Sequence, residues 1–264
     1  MSIRNMQIQY IIGPAGSGKT TLTKALLDYI RTYNQEITVI SINLDPAVQQ
    51  LPYTPDIDIQ DYVTVQEIIE KTGLGPNGAM IAATDKMVDY IEDLKYEINQ
   101  YNDPEIILVD TPGQMELFSF RNSGPMIANA LGFGSIERGI IFCYDSLLCG
   151  TPNGMISTLL LASSVQFRFA NLPQLNLLTK KDLLSEEKLN RILGWMDEDF
   201  ALLDAIETLE HGVLREYTVA LGRAFAEFGA ISELLPISAK FNEGIDLAWG
   251  KIQQITNDDT SPYY

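Results

Sequence analysis

The sequence predicts an α/β protein: a mostly parallel sheet with helices on both faces. Three observations carry this expectation. Compact, β-branched apolar runs recur along the chain. Stretches with helical spacing fill most of the gaps between them, and strands joined by helical crossovers pair in parallel with both faces covered. Short polar motifs follow the runs, and in such sheets the site lies beyond the carboxyl ends of the strands.

The first run, Met6–Ile12, leads straight into Gly13, as a buried first strand should. Thr20 to Tyr33 has helical spacing, with Leu22, Ala25, Leu26, Tyr29 and Ile30 on one face. Thr38–Ile42 reads as the next strand. Thr64-Val65-Gln66-Glu67 has the form of a capping box and opens a short helix ending near Gly73. Ala79 to Tyr101 reads as one longer helix. Further strands are expected at Ile106–Val109, Gly139–Tyr144, Leu175–Leu178 and Leu234–Ile237, the first three followed by Asp110, Asp145 and Thr179. Between the last two strands, about 184–230, lies a helical insertion of two or three helices. Its segment Asp197–Glu210 holds six acids and no Lys or Arg, which suits a solvated face or a partner-binding one. The tail Asn257–Tyr264 is polar and expected to fray.

The 264 residues suit a single domain spanning 1–264 that carries this insertion. Eighteen Lys and Arg against thirty-five Asp and Glu leave a net charge of −17, which argues against direct nucleic-acid binding through a basic face. No apolar run approaches the roughly 18 residues of a membrane span, and the N-terminus lacks a basic segment followed by an apolar core. Neither a membrane nor a secretory route is expected. Cys143 and Cys149 are the only cysteines and fit neither C-x-x-C nor a zinc spacing, so they read as reduced thiols of a cytoplasmic protein. With His211 the only histidine, a catalytic His triad or a multi-His metal site is nearly excluded.

Gly13-Pro14-Ala15-Gly16-Ser17-Gly18-Lys19-Thr20 matches G-x-x-x-x-G-K-[ST] between a strand and a helix. Glycines let successive N–H groups curl round phosphates, and the helix N-terminus adds positive potential. Lys19 is expected to reach the β- and γ-phosphates and the Thr20 hydroxyl to bind Mg2+. The fold class is therefore a three-layer P-loop NTPase.

Asp110-Thr111-Pro112-Gly113-Gln114 ends a strand. Asp110 can hold a magnesium-bound water, and Gly113 can offer its N–H to the γ-phosphate. Thr179-Lys180-Lys181-Asp182 and Ser238-Ala239-Lys240 follow the next strands. Asp182 can accept from N1 and N2 of guanine, the Lys180 stem can lie along the base, and the Ala239 N–H can donate to guanine O6. Adenine offers no such edge. At the end of the second strand, Asn43-Leu44-Asp45-Pro46-Ala47 aims Asp45 at the metal or at the attacking water. Pro152-Asn153-Gly154 reads as an ordinary turn.

With these motifs, Gly13–Thr21, Asn43–Ala47, Gly75-Pro76-Asn77, Asp110–Gln114 with Glu116, Thr179–Asp182 and Ser238–Lys240, the chain resembles the GPN-loop GTPases of archaeal, homodimeric type. They span almost the whole chain in the family's order. The resemblance implies binding of GTP and GDP, a constitutive homodimer, and a Gly75-Pro76-Asn77 loop that completes the partner subunit's site, with Asn77 stabilising phosphate in trans. Eukaryotic relatives are linked to RNA polymerase assembly, which suggests an RNA polymerase-related protein client. Two positions depart from the pattern. Thr179 stands where Asn is usual, and Pro14 stands where related dimerising ATPases carry a second lysine.

The expected activity is magnesium-dependent GTP hydrolysis by a dimeric switch. Lys19, Asp45, Asn77 and Gln114 are the catalytic candidates, and Asp45 and Gln114 compete for the water-positioning role. Thr20, Asp45 and Asp110 are the metal candidates. An alternative is an assembly or chaperone-like module in which hydrolysis only resets a grip. A P-loop kinase is a third reading, opposed by Asp110–Gln114 and Asp182.

Overall fold

A computed structural model of the chain describes residues 6–101, 104–132, 136–169, 172–197, 200–209, 211–227 and 233–257. Of the expected tail Asn257–Tyr264, Asn257 instead ends a helix, and 258–264 lie outside these residues, as do three members of the acidic segment, Glu198, Asp199 and Glu210. The strands are β1 (Gln7–Ile12), β2 (Val39–Asn43), β3 (Ile57–Asp58), β4 (Ile106–Asp110), β5 (Glu137–Asp145), β6 (Gln174–Thr179) and β7 (Leu234–Pro236). They form one 7-stranded sheet in the order β3-β2-β4-β1-β5-β6-β7, and every pairing is parallel. The central strand β1 is buried at all its positions.

Strand periodicity sends alternate residues to opposite layers. Ile8, Tyr10 and Ile12 of β1, Ile107 and Val109 of β4, and Ile140, Phe142 and Tyr144 of β5 join one core. Against it pack α2 (Val65–Thr72), α3 (Pro76–Lys86), α4 (Ile91–Ile98), α5 (Met115–Ser119), α6 (Ser123–Leu131) and α7 (Pro152–Arg168). Ile11, Ile106, Leu108, Ile141 and Cys143 face the other layer, formed by α1 (Lys19–Tyr33) and α11 (Ile245–Asn257). Helix α1 presents Leu22, Leu26 and Ile30, all fully buried, and each such side chain contributes about 1.5–3 kcal/mol. The sheet is thus sandwiched between helical layers, the three-layer P-loop NTPase fold.

The expected helical insertion consists of α8 (Glu186–Asp197), α9 (Ala201–Leu209) and α10 (Gly212–Glu227). Buried Leu202 and Ile206 fasten α9 to the larger core, while Asp204 and Glu207 face solvent. Among the described residues no helix is long and apolar enough to cross a membrane. Cys143 and Cys149 are free and buried.

The structure departs from the sequence reading at four places. β3 was not expected; at two residues it is too short to show periodicity. The capping box at Thr64 is half made. Thr64 Oγ1 accepts from Glu67 N, but the Glu67 carboxylate meets Lys71 at 3.3 Å. The single helix expected over Ala79–Tyr101 begins earlier, at Pro76, and is broken by a 3-10 turn over Met87–Tyr90. Ala79, Ala83, Met87, Leu94 and Ile98 make one apolar stripe across the break, so hydrophobic spacing does not reveal it. Finally, Pro152-Asn153-Gly154 is not a turn but the first turn of α7. Thr151 caps it by accepting from Gly154 N, and proline suits that position because its missing N–H would have no helical partner.

Candidate nucleotide and metal site

The phosphate loop joins β1 to α1. Gly16 (φ 74°) and Gly18 (φ 92°) take the left-handed backbone that favours glycine, and a Cβ at Gly16 would meet nothing within 4 Å. Gly13 is required for a different reason. A Cβ there would fall 2.8 Å from the Cys143 carbonyl oxygen, because the loop leaves β1 pressed against β5. The 15-residue helix α1 directs its N-terminal N–H groups into this loop and supplies fixed positive potential.

Lys19 is buried, and its Nζ donates to the carbonyls of Gly13 (2.9 Å), Pro14 (3.1 Å) and Gly113 (3.1 Å). These use all three ammonium donors. Burial lowers the Lys19 pKa, opposed by the neighbouring Cys143, Asp110, Asp45 and Glu116. Anionic phosphate oxygens are stronger acceptors than neutral carbonyls, so the ammonium is set to exchange partners.

Asp110 ends β4, and Asp45 lies two residues beyond the end of its parallel neighbour β2. Asp45 Oδ1 accepts from Ala47 N (2.9 Å) and Oδ2 from Gly113 N (2.8 Å). The Gly113 peptide is thus held at both ends, its N–H by Asp45 and its carbonyl by Lys19. The N–H expected to meet a γ-phosphate donates instead to Asp45. The Asp45 loop is fixed in turn by Asn43 Oδ1, which accepts from Asp45 N (3.0 Å), and by Gln60 Nε2, which donates to the Asp45 and Val48 carbonyls. Gln114 is exposed at the start of α5 and makes no side-chain cap. Of the two water-positioning candidates, Asp45 lies in the polar centre and Gln114 at its rim.

Asp110 is buried. Its Oδ2 accepts from the Tyr53 hydroxyl (3.1 Å), while Oδ1 is buried without a hydrogen-bond partner. Burial pushes the carboxyl up to about 6, against the hydroxyls of Thr20 and Tyr53 and the charge of Lys19. An unpartnered buried carboxylate oxygen beside the Thr20 hydroxyl suits a hard cation that also takes phosphate oxygens. Among the described residues no group of three or more His, Cys, Asp and Glu gathers into a metal cage. With the Thr20 hydroxyl, the open oxygen of Asp110 is a donor set that fits Mg2+ shared with a nucleotide.

At the other end, the Thr179 hydroxyl reaches the Ser17 carbonyl (2.7 Å) and the Tyr144 carbonyl (3.0 Å). It thereby braces the phosphate loop against β5 and β6, the part of an Asn amide's work that a hydroxyl can perform. Lys180 (φ 58°) directs its Nζ to Asp145 Oδ2 at 2.7 Å, and a Cβ at Gly18 would lie 3.9 Å from its Cε. Asp182 Oδ1 accepts from Ser238 Oγ (2.7 Å), which brings the two expected base-reading loops together. Ala239 is half-buried and Lys240 exposed, with its Nζ over the Phe241 ring.

Gly75, Pro76 and Asn77 form the exposed N-terminus of α3, with Gly75 as its cap and Pro76 in its first turn. No hydrogen bond among the described residues joins Asn77 to the phosphate loop of its own chain. Pro14, Ala15 and Thr21 line the loop and the start of α1, the last two exposed. The sequence reading missed two participants. Asp145 was noted only as a strand end, although an acid at that place is a signal like Asp110. Tyr53 lies in Leu51–Asp56, where nothing in composition or spacing marks it.

A family model described as "Conserved hypothetical ATP binding protein" matches residues 11–258. The chain is 30% identical to "GPN-loop GTPase 1" of Dictyostelium discoideum over 96% of its own length and 62% of that protein's. It thus spans less than two thirds of that relative. It is 32% identical to a GPN-loop GTPase of Pyrococcus abyssi, covering 90% of this chain and 93% of that one. The crystal structure of a P. abyssi GTPase in apo form superposes with a TM-score of 0.83, at 28% identity, over 97% of this chain and 100% of that chain.

The brace at Thr179 is open to test, since Thr179→Val deletes the hydroxyl bridge to Ser17. A lost buried hydrogen bond costs about 1–2 kcal/mol, so guanine-nucleotide affinity measured by fluorescence titration should fall about tenfold. A second expectation concerns pH. With its pKa raised from 3.8 to about 6, Asp110 binds its proton more tightly in the folded chain than in the unfolded one. Its contribution to stability therefore falls as pH rises across that window. Without nucleotide and metal, Asp110→Asn should raise the melting temperature at pH 7.5 and flatten its decline between pH 4 and 6. Melting curves across pH would record this.

Proposed function

Because the chain belongs to the GPN-loop GTPase family, we propose that it works as a magnesium-dependent GTP hydrolase and a homodimeric nucleotide switch. The observation that carries this reading is the convergence at neighbouring strand ends of the phosphate loop, Asp45, the Asp110–Gly113 turn and the linked Asp182–Ser238 pair. In this reading the whole chain is one P-loop GTPase domain with α8–α10 as its insertion.

The backbone N–H groups from Gly13 to Thr20 cradle the phosphates, and Lys19 releases the Gly113 carbonyl to reach the β- and γ-oxygens. Thr20 and Asp110 hold Mg2+, with Asp45 as a further candidate. When bound, the ion neutralises charge on the phosphate oxygens. Gly113 turns its N–H from Asp45 towards the γ-phosphate. This leaves Asp45 Oδ2 free to accept a proton or hydrogen bond from the attacking water, with Gln114 as second candidate. Asp182 and Ser238–Lys240 select guanine, and Lys180, steered by Asp145, lies along the base. Gly75, Pro76 and Asn77 serve the partner subunit's phosphates.

A second reading, the assembly module, is supported by one feature of the insertion. Helices α9 and α10 flank a cleft of about 510 Å³ that Phe200, Leu203, Ala226, Asp204, Glu207 and Arg223 line. Phe200 is 65% exposed, an apolar contact suited to a protein client, and RNA polymerase-related machinery is the candidate the family suggests. We place the protein in the cytoplasm, where its two buried thiols stay reduced, without direct nucleic-acid or membrane partners. GDP-loaded and non-hydrolysable-GTP-loaded protein should capture different partners if hydrolysis resets a grip.

Base selection is tested by competition of GTP against ATP. Asp182→Asn should weaken GTP binding by about 2–5 kcal/mol and improve xanthosine triphosphate, whose ring oxygen accepts from the amide. Equal affinity of the unmodified protein for ATP and GTP would sink the assignment.

Action in trans is tested by mixing. Lys19→Ala should lose triphosphate binding, and Asn77→Ala should keep it but hydrolyse about 10²–10³-fold more slowly, as when one preorganised donor is removed. A mixed dimer pairs the sound site of one with the sound loop of the other. Turnover should rise when the two inactive proteins exchange subunits. Confirmed exchange with no gain would place Asn77 outside trans catalysis.

A further inference from the structure

Tyr53 belongs to none of the nucleotide motifs, yet its hydroxyl meets the most deeply buried acid of the site. It donates to Asp110 Oδ2 at 3.1 Å and leaves Oδ1 buried without a partner. A carboxylate can rotate about its Cβ–Cγ bond, and a fixed donor on one oxygen sets the direction of the other. The donor is fixed from two sides. The Tyr53 ring packs against the core beneath α1 and α11. Three residues on, the Asp56 carboxylate accepts from Ser41 N (2.8 Å), Ser41 Oγ (2.9 Å) and Arg31 (2.8 Å), tying the segment to β2 and α1. The Thr20 hydroxyl, Lys19 and Asp45, which also act on the Asp110 carboxyl, lie at the phosphate and metal end.

We propose that Tyr53 is a positioning residue for the metal site: it holds one oxygen of Asp110 so that the other is presented to the divalent cation. Tyr53 touches neither nucleotide nor reacting atoms and acts only through Asp110. The inference rests on the magnesium reading above. It also gives the segment between β2 and β3 a second duty, since the stretch that begins with Asp45 at Gly113 returns through Tyr53 to Asp110.

The test is Tyr53→Phe, which keeps the ring and removes the donor. Mg2+ is titrated into the complex with a fluorescent GDP analogue, and nucleotide affinity is measured separately in EDTA. The Mg2+ concentration at half-saturation should rise about tenfold, while affinity in EDTA and the melting temperature stay close to those of the unmodified protein. Added to Asp110→Ala, Tyr53→Phe should shift the Mg2+ requirement less than twofold, because the oxygen it steers is gone. An unchanged Mg2+ requirement in the single variant overturns the proposal. So does an equal loss in the Asp110→Ala background, or a Tyr53→Phe protein that no longer folds, since either makes the side chain merely structural. If the unmodified protein shows no Mg2+ effect at all, the metal reading itself fails, a result distinct from a Tyr53 failure.

Discussion

A buried ammonium organises this structure. Lys19 lies at the first turn of α1, where the helix N-terminus already supplies positive potential, so its burial is doubly costly unless carbonyls or phosphates surround it. The chain meets that cost with three carbonyls, two from its own loop and one from Gly113, 94 residues away. The third contact couples the phosphate loop to the β4 turn. A ligand that displaces the Gly113 carbonyl from the ammonium would free that turn, which would tie charge recognition and loop movement to one side chain. Asp45 completes the arrangement by holding the other end of the same peptide.

The charge balance gives that arrangement further weight. A chain of net charge −17 repels an anionic ligand at long range, and attraction must come from within about a Debye length. At the phosphate end the local sources are the N-terminus of α1 and Lys19, with Lys180 beside the loop. The last is already paired with Asp145 at 2.7 Å. Binding of a triphosphate in such a field favours a cation brought along with it, and the unpartnered Oδ1 of Asp110 has the chemistry that such a cation would suit. The acidic surface is therefore compatible with a nucleotide site because that site relies on fixed dipoles and buried contacts rather than on net charge.

Most of the sheet was legible in the sequence because strands buried on both faces leave dense apolar runs, and the motifs were legible because phosphate and base chemistry constrain residue type at fixed offsets. Gly13 to Thr20, Asp110 to Gly113 and the separate loops at Asp182 and Ser238 stood out in that way, whereas the hydrogen bond from Ser238 to Asp182 did not. What escaped notice depended on tertiary placement. Tyr53 reaches Asp110 across 57 residues. The 3-10 break after Lys86 hides inside an unbroken apolar stripe. The same Pro-Asn-Gly triplet opens both α3 and α7, and only its surroundings separate the copies. At α7, Thr151 caps the helix and Asn153 Oδ1 accepts from the Thr218 hydroxyl at 2.7 Å, so that Asn is engaged within its own chain.

The contrast between those two helix starts bears on how the site is completed. Gly75 offers no side-chain cap, and Gly75, Pro76 and Asn77 all face solvent. An exposed asparagine at a helix N-terminus combines a neutral amide donor with positive helix potential, a combination suited to an anion. Its own phosphate loop is served by Lys19, α1 and Gly113 without it. The proline fixes its own φ and so steadies the backbone that carries Asn77 at the start of the helix. In the proposed trans reading, this donor would be used against a second surface rather than within its own chain. In that reading, the phosphate end of another copy of this chain would offer the complementary charge once nucleotide is bound.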